Sequence, residues 1–257
     1  MRNHFDKYIE FVKDTDTDQI LKDEPVFEKD KSFKDKELTE TDFPSILSRN
    51  EMHDKLLAEY SLDRIAVGKT DFERILNVLK WLTDNTFYNG MQVVPLTDNS
   101  LDILKFSFGK SFKNAVNCRL KAIAFADCLV AVGIKAYPVC MTSSKFNYCH
   151  FTCQAYISQT DKWCVFDPSF GCYFTDKDGN PIDIFEMRNI FIEGNQPTVC
   201  GYNFNGTTEC FEVYIKSFLN ACVSNLSTWQ DNSPDRRTGR KWKHKKKFQA
   251  RIPRCQS

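Results

Sequence analysis

Three residues of this sequence could together perform acyl transfer: Cys118, His150 and Asp167, in that order along the chain. A thiol reacts as its thiolate, and the open N–H groups and partial positive charge of a helix N-terminus favour that anion. Cys118 stands where the loop SFKNAVN gives way to the apolar run CRLKAIAFADCLVAVGIKA. His150 follows 32 residues later, and an imidazole is the side chain best matched to taking a thiol proton near neutral pH. Asp167 lies in WCVFDPS, 17 residues beyond His150. A carboxylate there would fix the imidazole tautomer and steady its protonated form. A cysteine at a helix start is, by itself, more often a packing residue. The ordered set of cysteine, histidine and aspartate is what points to a nucleophile.

The elements around these residues are expected to bring them together. Behind Cys118, the small residues Ala122, Ala124, Ala126 and Ala131 mix with the large Ile123, Phe125, Leu129 and Val130. The charges in that run are Arg119, Lys121 and Asp127, and Gly133 stands where a helix C′ residue belongs. That pattern describes a nearly buried helix against a sheet. NYCHFTCQAYI has a strand's period of two. Cys149, Phe151, Cys153, Ala155 and Ile157 take one face, and Tyr148, His150, Thr152, Gln154 and Tyr156 take the other. The imidazole is therefore expected on a polar, cleft-facing side. SQTDK reads as a turn and WCVFDPS as a strand stopped by Pro168, so one hairpin places Asp167 beside His150.

Further elements follow by the same reasoning. IKAYPVCM reads as a strand and DKDGNP as a turn. TDFERILNVLKWLTDNT reads as a helix with a Thr70/Glu73 capping box and an apolar stripe of Phe72, Ile75, Leu76, Val78, Leu79 and Leu82. IDIFEMRNIFIEG and TECFEVYIKSFLNACV read as two more helices, and residues 87–115 as irregular.

NCRLKAIAFADCLVAVGIKAYPV, CHFTCQAYI and KWCVFDPSFG resemble the three blocks of the transglutaminase-like, or papain-like thiol hydrolase, superfamily. The resemblance spans residues 70–225. It implies an α+β fold with a nucleophile helix against an antiparallel sheet, Cys118 as nucleophile, His150 as general base and acid, and Asp167 as the orienting group. The sequence departs from the pattern at Asn117, where many relatives carry Gly or Trp, and at Thr152, where an aromatic is usual. Both departures bear on substrate. The mechanism implied is thiolate attack on an amide or ester carbonyl to give a thioester. The oxyanion would rest on the Cys118 N–H and one side chain, with Gln92, Asn89, Tyr88 and the neighbouring Asn117 as candidates. Water would then give hydrolysis, and an amine would give transamidation.

Composition sets the outer bounds. A chain of 257 residues with 42% apolar residues and 22 Phe can build a substantial core, which excludes global disorder. The formal charge of +1 conceals an acidic first quarter and a tail, residues 236–257, that carries bases and no acid. We expect an acidic helical region over 1–66, whose short helices pack on the main domain, then a catalytic domain over 67–228 and a basic tail over 229–257. The tail, with Trp242 and Phe248, could contact nucleic acid or another anionic partner, extend into solvent, or fold onto the acidic region. No stretch is apolar and long enough for a membrane span, and the N-terminal residues lack a signal's apolar region. Eleven cysteines without regular spacing suggest reduced thiols and a cytoplasmic location. Cys149, Cys153, Cys164 and Cys172 lack the tight pairing of a zinc site and are expected to be buried free thiols, so no metal or cofactor is expected. The leading expectation is a cysteine hydrolase of peptide or amide bonds. A protein-glutamine transamidase and an inactive interaction module with a basic tail are the alternatives.

Overall fold

The computed structural model describes residues 48–90, 98–142, 149–193, 195–201 and 225–227. The expected helix over TECFEVYIKSFLNACV, Gln92, residues 1–47 and the basic tail lie outside them. The fold is α+β. Its helices are α1 (Glu51–Tyr60), α2 (Leu62–Ile65), α3 (Asp71–Asn85), α4 (Ser100–Ser107), α5 (Cys118–Ala131) and α6 (Ile184–Ile192). Its strands are β1 (Ala136–Thr142), β2 (Cys149–Ile157), β3 (Lys162–Asp167), β4 (Cys172–Thr175), β5 (Thr198–Gly201) and β6 (Asn225–Ser227). They form one antiparallel sheet in the order β5-β4-β3-β2-β1-β6.

Helix α5 is the centre of the molecule. Every residue in it except Arg119 is buried, as expected of a helix that is apolar on all sides. It packs on β1 and β2 and is surrounded by α1, α3 and α4. Gly133, at φ 84, ends it in a Schellman motif: the Ile134 N–H bonds the Leu129 carbonyl and the Gly133 N–H bonds that of Val130. The chain then turns directly into β1. Met52, Leu56 and Leu62 of the first two helices share one core with Leu79, Ile123, Phe125, Cys153 and Phe166.

Helix α3 starts as its sequence predicts, with the Thr70 hydroxyl accepting the Glu73 N–H. The reciprocal half of the box is absent. Glu73 Oε2 instead accepts the Lys69 N–H at 2.6 Å. Ile75, Val78, Leu79 and Leu82 of the predicted stripe are buried, with Phe72 and Leu76 packed at the core's margin.

The stretch read as irregular holds more structure than expected. It contains α4, capped by Asn99, and a parallel bridge between Tyr88 and Val116. Strands β4 and β5 are also additions to the reading from sequence. At four residues each they are too short to show a period.

Candidate active site

Cys118 is the first residue of α5, as the sequence predicts, and Asn117 is its N-cap. The Asn117 side chain accepts the Leu120 N–H at 3.1 Å, which satisfies one of the open donors of the first turn. Asn117 therefore acts as a capping group that fixes the helix start. The residues before it are held by pairing with residues 87–89. Val116 donates to the Phe87 carbonyl and Asn89 donates to the Val116 carbonyl, each at 3.0 Å. The same ribbon brings the Tyr88 side chain against a small apolar cluster of Cys118, Ala122 and Phe151. Of the four oxyanion candidates, the structure thus packs Tyr88 against the cluster that contains Cys118 and ties Asn89 through its backbone. Gln92 lies outside the described residues.

His150 and Asp167 meet as the hairpin predicts. Strands β2 and β3 pair with Cys153 opposite Phe166, which leaves Asp167 near the start of β2. The His150 Nε2 lies 2.6 Å from Asp167 Oδ2, and both side chains are fully buried. The second carboxylate oxygen accepts the Ser169 N–H at 2.8 Å, a local turn that fixes the carboxylate plane. Burial alone would lower the His150 pKa. The Asp167 charge and hydrogen bond outweigh it, and the Cys118 side chain adds to them by favouring the protonated ring, so the imidazole is raised to about 10. Cys118, at the positive end of α5, therefore faces an imidazole that holds its proton through neutral pH.

The expectation of a cleft-facing imidazole is corrected by the burial. His150, Thr152 and Gln154 form the polar face of β2, and all three are fully covered. Two of these side chains have polar partners beneath that cover, His150 in Asp167 and Gln154 in Ile184 and Tyr137. Gln154 accepts the Ile184 N–H at the start of α6 and donates to the Tyr137 hydroxyl. Over His150 lies Phe170, with ring centroids 6.0 Å apart, and Tyr88 stacks edge-on against Phe170 at 5.2 Å. Phe170 reaches that position from the turn closed by Gly171, whose φ of 65 is one a side chain rarely adopts. A Cβ there would sit 2.9 Å from Thr83 Cγ2.

Lys121 is a component that the sequence reading treated only as a charge on α5. It lies one turn beyond Cys118, is 1% exposed, and donates from Nζ to the Thr86 carbonyl at 3.0 Å. That bond holds the residue just before the 87–89 ribbon. Burial pulls the Lys121 pKa down to about 7, with the charges of Asp167 and Asp84 resisting. A fully buried lysine is uncommon, and here it places a second cationic group in the field of Asp167. A short ion pair between Arg119 and Asp98 anchors the outer side of the same turn.

Among the described cysteines, Cys118, Cys128, Cys153, Cys164 and Cys172 are buried, as expected for the last three, and Cys140 and Cys200 are half-buried. Burial pushes the thiols of Cys128, Cys153, Cys164 and Cys172 up. Cys149 is exposed, contrary to the expectation of a buried thiol. It is the first residue of β2, and the covered part of that strand begins at His150. Among the described residues no three His, Cys, Asp or Glu side chains converge as a metal site, and no helix is long and apolar enough to cross a membrane.

No known family model matches this chain, and no curated protein matches it. A solved structure described as a "Putative Cysteine Protease from Cytophaga hutchinsonii" aligns with 51% of this chain at 19% identity and a TM-score of 0.39, and the alignment spans 43% of that protein.

Proposed function

We propose that this chain is a cysteine acyl-transfer enzyme, most simply a hydrolase of amide or peptide bonds. The observation that carries the reading is the buried His150–Asp167 pair, 2.6 Å across, whose protonated imidazole is favoured by the Asp167 carboxylate and also by the Cys118 side chain at the start of α5. With Nε2 committed to Asp167, the nitrogen that serves the thiol is Nδ1. Asp167 fixes the tautomer and balances the imidazolium charge. In the resting pair the Cys118 proton already resides on His150, and the thiolate attacks the carbonyl carbon of the substrate. The resulting oxyanion is met by the Cys118 N–H, which has no acceptor inside the helix at this first position. Tyr88, packed against the cluster of Cys118, Ala122 and Phe151, is our candidate for the second donor through its hydroxyl. His150 then protonates the leaving amine, which departs as the thioester forms. Water gives its proton back to His150 and its oxygen to the acyl carbon, and this releases the acid and regenerates the thiol. Hydrolysis is favoured over transamidation because water requires no second binding site.

The test is the rate of iodoacetamide labelling at each cysteine, read by peptide mass spectrometry in the parent and in His150→Ala. The reading expects Cys118 to label fastest at neutral pH and to slow markedly in His150→Ala. Slow labelling of Cys118 that is indifferent to His150 would make it a packing thiol and overturn the proposal.

A further inference from the structure

The surroundings of Cys118 hold two more thiols. Phe151 of β2 packs with Cys118 and Ala122, and Cys140 packs against that cluster from β1, directly opposite Phe151 in the ladder. Cys149 lies two residues before Phe151, on the same face of β2. It is the exposed thiol among the described cysteines. Burial raises its pKa, Cys118 adds to the rise, and the Arg119 guanidinium opposes it. Cys149 therefore lies within the electrostatic reach of the first two residues of α5, at the outer edge of the site.

We propose that Cys149 is the resolving thiol of an oxidative off-state, in which a peroxide drives formation of a Cys118–Cys149 disulfide. The inference rests on the reading of Cys118 as a reactive thiolate. In the first step the Cys118 sulfur attacks one oxygen of hydrogen peroxide. The O–O bond breaks, the sulfur becomes a sulfenic acid, and the departing hydroxide takes a proton and leaves as water. In the second step the Cys149 sulfur attacks the sulfenic sulfur. The S–O bond breaks, the S–S bond forms, and the Cys149 proton leaves with the hydroxyl as a second water. Two thiols are oxidised and one peroxide is reduced to two waters.

The strand register selects Cys149 over Cys140. Cys140 is held on both sides, by Phe151 of β2 and by Ser227 of β6. A disulfide needs Cα atoms about 4.4–6.8 Å apart with converging Cβ vectors, and a residue between two ladders cannot shift to meet that need. Cys149 is the first residue of β2 and is paired there with Thr142 of β1 alone, so a shift of Cys149 would disturb one terminal pair. The deeply buried thiols Cys128 and Cys153 belong to the core around α5 and offer peroxide no approach.

The experiment treats the full chain with hydrogen peroxide and maps disulfides by non-reducing peptide mass spectrometry, with iodoacetamide labelling of the reduced protein run in parallel. The parent is expected to yield a Cys118–Cys149 linked peptide and to lose Cys118 labelling, and dithiothreitol should restore that labelling. Cys149→Ser should label normally when reduced and give no linked peptide. Its Cys118 should pass on to sulfinic acid, which dithiothreitol does not rescue. Cys140→Ser should behave as the parent. Fast labelling of reduced Cys118, combined with its overoxidation or with linkage to Cys140 in the parent, would overturn the role of Cys149 and leave the nucleophile reading standing. Slow labelling of reduced Cys118 would overturn both.

Discussion

The Oδ2 of Asp167 lies 2.6 Å from His150 Nε2, while its Oδ1 is held by the Ser169 N–H. The carboxylate is thus clamped on both oxygens, and the imidazole inherits its orientation. Asp167→Asn keeps the size of the side chain and removes the charge that raises His150 to about 10. The expected result is an unchanged far-UV circular dichroism spectrum, with His150 titrating lower by NMR. Cys118 acylation by a nitrophenyl ester should slow by roughly two to four orders of magnitude. An unchanged rate would remove Asp167 from the mechanism.

His150 and Lys121 should bend the stability–pH curve in opposite directions. His150 has a native pKa of about 10 against an ordinary 6.5, so the native state holds a proton that the unfolded chain loses. Its contribution is complete below pH 6.5 and fades as pH rises towards 10. Lys121 has a native pKa of about 7 against an ordinary 10.5, so between those values the unfolded chain holds the extra proton and stability rises with pH. Each slope is at most about 1.4 kcal/mol per pH unit, and the two offset each other across most of the window. Lys121→Met removes the rising slope. Urea unfolding of that variant should show stability falling, relative to the parent, as pH increases from 7 towards 9. Parallel curves would mean that Lys121 keeps an ordinary pKa in the fold.

The sequence made the skeleton of this site legible because each part of it carries a local signal. The apolar run after Cys118 fixed α5, Gly133 fixed its end, and the period of CHFTCQAYI fixed the strand that carries His150. What escaped was set by tertiary contact. Phe170 over His150 depends on the backbone of Gly171, and the placement of Tyr88 depends on a bridge to Val116, 28 residues away. The burial of His150 was also illegible, because a polar strand face looks the same whether water or protein covers it. Lys121 is the sharpest case. In sequence it is one charge on an apolar helix, and its partner is the backbone carbonyl of Thr86, which no side-chain pattern marks.

Tyr88 offers a test of oxyanion stabilisation separate from nucleophile activation. Its ring packs against Phe170 at 5.2 Å, and its side chain lies on the Cys118 cluster. Tyr88→Phe retains that packing and deletes the hydroxyl. Ester hydrolysis should fall by about 10²–10³-fold, the loss expected for one oxyanion donor. Iodoacetamide labelling of Cys118 should be unchanged, since alkylation develops no oxyanion. Equal loss in both assays would assign Tyr88 to packing, and no loss in either would move the donor elsewhere.

A buried polar clasp at the other end of α5 predicts a stability defect without a chemical one. Asp127 Oδ2 accepts the Ser100 hydroxyl at 2.6 Å, and Oδ1 lies 3.3 Å from His53 Nε2. His53 Nδ1 accepts the Asn50 N–H at 3.0 Å, so Nε2 is the nitrogen that donates to Asp127. One carboxylate thereby ties α1 and α4 to α5, and all three side chains are buried. Asp127→Ala leaves two buried donors without an acceptor, which costs about 2–4 kcal/mol. At about 1.5 Å per residue the clasp stands roughly 13 Å along the helix from Cys118. Urea unfolding should record the loss while the labelling rate of Cys118 below the transition stays at the parent value. A slower rate in the folded variant would show that the docking of α1 and α4 sets the position of the nucleophile, and that α5 does not act as a rigid rod between its two ends.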